Sequence, residues 1–303
     1  MTIGDADAKD RSGLPAITVV VPVFNDPRGM TACLAALDQQ DYPRDLFDVV
    51  IVDNGSCPPL EIEIPPLLSA RQVTCATAGA YAARNAGAIA ARGDALAFTD
   101  ADCIPAPTWL TEGAKALVAC GPKGIVGGEV AFLPPEPRNG TSLYQFETGF
   151  QQQENIQTKG FGATANLFCW RGQFDAVGPF DQRLLSGADR EWSWRAARHG
   201  CRIVFRAEAC VYTRTRSTLR AAIRQARRVA AGRRYIAGHG LAWIGADALQ
   251  PHRSAWNAIS WILRRRDLSG WERVRVLAAA VAIRMATLLE YCRLALGGNA
   301  ERR

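Results

Sequence analysis

The chain is short of lysine and histidine, and it lacks several motifs that would each announce a function. Of its 36 basic residues only Lys9, Lys115, Lys123 and Lys159 are lysines, so the formal charge of +7 is an arginine charge. Arginine presents a planar fork that matches phosphate oxygens, which favours a phosphate-bearing partner. No nucleic-acid partner is expected. His199 and His239 stand alone, so a histidine-built metal centre is not expected either. The nine cysteines are odd in number and include no CxxC, which excludes a disulfide framework and a zinc cluster and leaves buried thiols in a reducing compartment. Residues 1–16 mix acids with bases and carry no apolar core, so they do not read as a signal peptide. No GxGxxG follows the first apolar run, which removes the dinucleotide dehydrogenases. Asp26, Pro27, Arg28 and Gly29 do not supply the glycine-rich, lysine-bearing loop that a nucleotidyltransferase wants after its first strand.

What is present is a set of apolar runs that stop at polar residues. Residues 95–103 read ALAFTDADC and end at Asp100 and Asp102. A short run of this kind reads as a buried parallel strand, and ligands in open α/β sheets gather beyond the carboxyl ends of such strands. Neighbouring carboxylates raise one another's pKa unless a cation attends them, so a divalent metal bridging to phosphate is one reading. The other is that Asp100 and Asp102 are turn residues, or that one of them caps a helix opened by Pro107. Residues 17–25 (ITVVVPVFN) and 49–56 (VVIVDNGS) are two further strands with polar ends, the second closing on Asp53. An alanine-rich helical stretch, AGAYAARNAG at 78–87, sets Arg84 and Asn85 near its middle.

In this order the motifs resemble those of the family-2 glycosyltransferases, with their VVVPVYN-like first strand, VDDGS-like second strand end, ARNxG helix and DxD. The likeness continues through GATANLFCWRGQFDAVGPFD at 162–181 and GADREWSWRAARHG at 187–200, and it spans residues 17–234. Two departures stand out. Ala188 replaces the first acid of the usual Glu-Asp pair, and Thr213 in VYTRTR replaces a histidine that is a metal ligand in some relatives.

The resemblance implies a GT-A type α/β fold, a mostly parallel sheet with helices on both faces, and a nucleotide-diphosphate sugar as donor. It implies an inverting transfer to a hydroxyl of a glycan or lipid-linked acceptor in cell-envelope or exopolysaccharide synthesis. It places Asp102 on a magnesium or manganese ion, Asp100 toward the ribose, and Pro22, Val23, Asn25 and Asp53 around the base. Arg84 pairs with the diphosphate or orients Asp100, Asn166 touches the donor or satisfies buried backbone, and Asp189 is the general base, with Glu191 next in line. Asp53 in an Asp-Asn-Gly-Ser turn is equally read as turn chemistry. Arg214 or Arg216 stands to offset the missing histidine. Of Trp192 and Trp194, one is expected in the core and the other at a sugar.

The expected organisation is a tail at 1–16, a transferase domain at 17–235 divided into a donor half (17–132) and an acceptor half (133–235), and a helical segment at 236–303. Residues 138–160 are expected to form a helix and loop lining the acceptor side. Between residues 214 and 234 lie eight arginines and no acid. The stretch at 274–296 is apolar but interrupted by Arg275, Arg284, Glu290 and Arg293, too often for a helix that spans a bilayer. With Trp256, Trp261 and Trp271 alongside, this segment reads as helices lying on the cytoplasmic face of a membrane, or as helices packed on the domain or on a second copy. The expected location is cytoplasmic, at most peripheral on the membrane.

Overall fold

The computed structural model describes residues 13–238, 262, 264, 265 and 267–298. Trp256, Trp261, His239 and the tail up to residue 12 lie outside the described residues. The chain runs β1 (Ile17–Val23), α1 (Pro27–Asp38), β2 (Phe47–Asp53), β3 (Ala70–Thr74), α2 (Ala80–Ala90), β4 (Ala95–Thr99), β5 (Cys103–Pro105), α3 (Trp109–Cys120) and β6 (Gly124–Phe132). It continues with α4 (Gly140–Thr148), α5 (Gln152–Lys159), β7 (Asn166–Trp170), α6 (Arg171–Val177), α7 (Ala188–Arg198), β8 (Arg202–Thr213) and α8 (Leu219–Gly238), before the long α9 (Gly270–Ala295).

Eight strands form one sheet in the order β3-β2-β1-β4-β7-β6-β8-β5. The strands β3, β2, β1 and β4 are parallel, β7 runs antiparallel to both neighbours, β8 pairs parallel with β6, and β5 closes the edge antiparallel to β8. The expected α/β architecture is therefore present, parallel throughout the first four strands and mixed beyond them.

Why the first strands read as unbroken apolar runs is visible in the packing. Side chains alternate across a strand, and in β1 Ile17, Val19, Val21 and Val23 enter one core while Val20 enters the other. The first core is closed by α1 and α3 through Met30, Leu34, Trp109 and Leu117. The second is closed by α2, α6 and α7 through Ala83, Phe174 and Trp192. Each fully buried valine or isoleucine contributes about 1.5–3 kcal/mol relative to exposure. The alanine-rich α2 lies close on the sheet, since a Cβ at Gly87 would come within 2.3 Å of the Val20 side chain.

Three expectations change. Asp100 and Asp102 cap no helix, because β5 follows them and α3 starts later, after Thr108. Residues 138–160 hold two helices, α4 and α5, separated by Gly149 and a left-handed Gln151 (φ 62°). Trp192 and Trp194 are both buried (0% and 1% exposed), so neither offers a face to a sugar. Trp192 Nε1 donates to the Gly178 carbonyl and Trp194 Nε1 to that of Lys159, which satisfies both indoles inside the core.

Candidate active site

The polar ends of β1, β2 and β4 converge at one edge of the sheet. Asn25 adopts a left-handed backbone (φ 53°) that turns the chain after β1. Its N–H donates to Ser56 Oγ at 2.9 Å, and its Oδ1 accepts from the Cys57 N–H at 2.8 Å. These bonds clasp the β1 turn to the β2 turn. Asp53 is nearly buried (4% exposed), with Oδ1 accepting from the Ser56 N–H at 2.9 Å and Oδ2 from the Leu60 N–H at 3.3 Å. Burial acts to raise its pKa, but the Ser56 and Leu60 hydrogen bonds outweigh it and hold the carboxyl below its ordinary range. Asp53 thus organises its own turn. Pro22 is half-buried and Val23 buried just before this clasp.

Asn54, to which no role was expected, ties the same edge to α2. Its Nδ2 donates to the carbonyls of Cys75 and Thr77, and its Oδ1 accepts from the Gly79 N–H at 2.7 Å. From α2, the buried Arg84 forms an ion pair with Asp100 and lies over the Tyr81 ring, 5.4 Å from its centroid. The ion pair brings together the two residues that were expected to act as a unit. Asn85 is committed elsewhere, exchanging hydrogen bonds with the backbone of Phe180.

Asp102 is exposed, and its carboxylate has one weak contact, the Cys103 thiol at 4.0 Å. The protein crowded around it, then the charge of Asp100, pushes its pKa up to about 6, with Arg216 pulling the other way and Asp26 adding to the push. Thr213 hydrogen-bonds the Asp102 carbonyl at 3.3 Å from the neighbouring strand. Arg216 follows three residues later, its backbone N–H held by Gln145 Oε1 of α4 at 2.9 Å, while Arg214 is exposed. Of the two arginines, Arg216 is the one whose charge reaches the acid pair. Mutual repulsion at Asp100 and Asp102 is what a divalent cation relieves, so the residues fit such an ion. Among the described residues no group of three or more His, Cys, Asp or Glu side chains assembles to hold one, so Asp102 would share it with phosphate oxygens and water.

Asp189 lies in the first turn of α7 and is half-buried. Its Oδ1 accepts from the Tyr81 hydroxyl at 3.1 Å, and its Oδ2 faces the Thr164 N–H at 3.4 Å. The Tyr81 oxygen in turn accepts from the Gly187 N–H at 3.1 Å. Burial, followed by the charge of Asp189, raises the Tyr81 pKa and keeps the phenol a donor. Asp100, Arg84, Tyr81 and Asp189 therefore form one connected row from the end of β4 through α2 to the start of α7. Tyr81 sits within the helical motif, but only the fold reveals its partner 108 residues away. Glu191 is excluded as an alternative base because Arg195 engages both its oxygens, at 2.9 and 3.0 Å.

Asn166 needs correction as a donor-binding residue. It is fully buried, its Oδ1 accepts from Trp109 Nε1, and its Nδ2 donates to the carbonyls of Glu129 and Ala209. No part of that amide is left to meet a ligand, so it locks β6, β7, β8 and α3 together. Beside this lock a cavity of about 510 Å³ opens between the end of β6 and the α4–α5 turn, lined among others by Phe132, Phe150, Gln151, Gln152 and Glu154.

The description "Glycosyl transferase family 2" matches residues 18–175, and "Glycosyl transferase family group 2" matches residues 100–291. The chain belongs to glycosyltransferase family 2. It is 35% identical over 205 residues to Glycosyltransferase AglE of Haloferax volcanii, covering 64% of this chain and 65% of the relative. It is 28% identical over 221 residues to the Pre-mycofactocin glycosyltransferase of Mycobacterium tuberculosis, covering 67% of this chain and 44% of that one. The chain thus spans a little under two thirds of the first relative's length. Among solved structures, the mannosyltransferase PcManGT from Pyrobaculum calidifontis, in complex with GDP-Man and Mn2+, superposes with a TM-score of 0.57 at 19% identity, covering 94% of this chain and 86% of that one. TarS of S. aureus in complex with UDP-GlcNAc gives a TM-score of 0.52 at 14% identity, with 94% and 93% covered. These likenesses establish the GT-A fold.

Proposed function

We propose that this glycosyltransferase is an inverting, metal-dependent enzyme that moves a sugar from a nucleoside-diphosphate donor to a hydroxyl of a glycan or lipid-linked acceptor in cell-envelope or exopolysaccharide synthesis. The observation that carries the reading is the row from Asp100 through Arg84 and Tyr81 to Asp189, which joins a metal-grade acid pair to one oriented carboxylate. A bound divalent ion would act as a Lewis acid on the departing diphosphate. The chain's own residues do the rest. Asp102 would hold the ion, Arg84 keeps Asp100 aimed through their ion pair, and Arg216 adds positive charge where the diphosphate's charge grows. Asn25 and Asp53 fix the turns around the base, with Pro22 as its wall, while Val23, expected at the base, is buried in the core behind them. Asp189 takes the proton from the acceptor hydroxyl as that oxygen attacks, and a single displacement inverts the anomeric centre.

Solved neighbours hold GDP-Man or UDP-GlcNAc, which supports a nucleotide-sugar donor. The cavity's paired aromatics and amides, with Phe132 and Phe150 6.4 Å apart, suit a sugar ring of the acceptor. A nucleotidyltransferase is disfavoured because Asp26 caps α1 through the Gly29 N–H where a phosphate-cradling loop would be needed.

A membrane location, on the inner face of the cell membrane, draws support from α9. Among the described residues no helix is long and apolar enough to cross a bilayer. Yet Trp271, Val274, Val281, Met285, Leu288 and Leu289 are exposed on α9. At 3.6 residues per turn they share an arc of about 100° along a helix about 39 Å long. Exposed Arg275 and Arg284 border that stripe on either side, and exposed Arg220, Arg224 and Arg228 lie on α8, which packs against α9. An apolar stripe edged by arginines is complementary to an anionic lipid surface.

Calorimetric titration of UDP and GDP with and without Mn2+ tests the central reading. Metal-dependent binding to the parent chain is expected, with its loss in Asp102→Ala and a smaller loss in Asp100→Asn. Equal binding by parent and Asp102→Ala would overturn the metal assignment.

A further inference from the structure

Beside Asp189, three cations gather from three different helices. Lys159 closes α5, Arg190 follows Asp189 in α7, and Arg233 comes from α8. Arg190 is 8% exposed, yet among the described residues no atom accepts a hydrogen bond from its guanidinium, and its buried Nε has no partner there. What holds it is stacking, with the guanidinium carbon 4.4 Å from the Phe161 ring centroid. The Nε of Arg233 is likewise buried without a partner. Lys159 is 9% exposed and reaches Asn155 Oδ1 at 2.9 Å and Glu154 at 3.6 Å.

The gathering is built into the packing. A Cβ at Gly232 would come within 2.0 Å of the Ser186 carbonyl, so α8 is seated directly on the turn that leads into Asp189, and this seating brings Arg233 there. Burial and then the like charge of Arg233 hold the Arg190 pKa below its ordinary value, with Asp189 opposing. Burying a guanidinium without a hydrogen-bond acceptor is costly. Stacking on an aromatic ring orients the planar fork but leaves its N–H groups to be used.

We infer that Lys159, Arg190 and Arg233 form a phosphate-binding subsite on the acceptor side of Asp189, which takes a phosphate group carried by the acceptor. This rests on the transferase reading above and narrows its acceptor to a phosphorylated one, lipid phosphate or sugar phosphate. Two guanidinium forks and an ammonium suit a multiply charged group with several oxygens, where a neutral sugar needs none of them. Arg190 adjoins Asp189 at one end of the row and Asp100 stands at the other, linked through Tyr81 and Arg84, so the subsite proposed for the acceptor's phosphate is distinct from the acid pair.

The test uses the full chain with whichever of UDP and GDP binds, held saturating with Mg2+ so that the donor side is filled. Inorganic phosphate, decyl phosphate and acetate are then titrated against the parent, Arg190→Gln and Arg233→Gln, with thermal stability and nucleotide affinity as checks that each variant is folded. Phosphate and decyl phosphate are expected to bind the parent, and each substitution to weaken them at least tenfold while nucleotide affinity holds. Tighter binding of decyl phosphate assigns a lipid phosphate, and equal binding a soluble one. Acetate binding as well as phosphate, phosphate displaced by the nucleotide, or affinity unchanged in both folded variants would each overturn the subsite. Should neither nucleotide bind, the transferase reading fails by itself, and the same phosphate titration on the nucleotide-free chain still judges the subsite.

Discussion

The two halves of the sheet hold their polar residues by different means. At the ends of β1 and β2, Asp53 and Asn25 are fixed mostly by bonds within or between adjacent turns, and the parallel strands behind them are buried on both faces. In the mixed half, Asp189 depends on Tyr81, 108 positions away, and Asn166 depends on Trp109, Glu129 and Ala209. A site built from neighbouring turns survives as a motif. A site built from distant partners fails when any one of them changes.

The sharpest way to break this contrast is Asp189→Asn. The acceptor half should lose its chemistry and the donor half keep its ligand, so transfer falls by about 100- to 10,000-fold with nucleotide affinity unchanged. Steady-state rates beside calorimetry would show it, and a parallel fall in affinity would mean the halves are not separable. Next comes Asn166→Ala, which strands the Trp109 indole and two carbonyls. Chemical denaturation should report a loss on the order of 3 kcal/mol. Nucleotide affinity of the folded fraction should match the parent, whereas a donor-contacting Asn166 would give the reverse pattern.

Tyr81 belongs to the donor half by chain and to the acceptor half by contact. Tyr81→Phe keeps the ring beneath Arg84 and removes only the hydroxyl, so transfer should drop about tenfold, the equivalent of one hydrogen bond, with the donor's affinity held. Unchanged turnover would leave Asp189 oriented by α7 alone. The smallest effect on the folded domain is expected from Leu288→Ser on α9, with stability within about 0.5 kcal/mol of the parent. Sedimentation with anionic vesicles should nevertheless fall, and that of the parent should fade as salt screens the arginines. Parent protein that stays in the supernatant at low salt would end the membrane proposal.

The donor half was largely legible because its signals are local. A run such as VVIVDNGS carries strand, strand end and turn within eight residues, and Asp100 and Asp102 sit where the run stops. β3 was not legible, since ARQVT is a partly exposed edge strand without an apolar run. Asp189 was readable from its motif block, but the hydroxyl that orients it was not, because nothing in AGAYAARNAG distinguishes Tyr81 from a packing residue until α2 and α7 meet. Asn166 misled for a related reason. An asparagine beside a strand start looks the same in sequence whether its amide faces a ligand or three buried groups of the protein.

The clasp at Asn25 has a consequence for recognition. Its N–H and its side-chain oxygen are both engaged by the Ser56–Cys57 turn, and Asp53 is engaged by Ser56 and Leu60. Holding one residue's backbone in a single conformation costs about 1–2 kcal/mol of entropy, and here that ordering is completed by folding. In the donor site proposed above, a nucleoside would meet a surface whose shape is already set, and its affinity would not be diminished by freezing loops. The same rigidity makes the surface selective, because turns fastened at both ends cannot remould themselves around a base of a different outline.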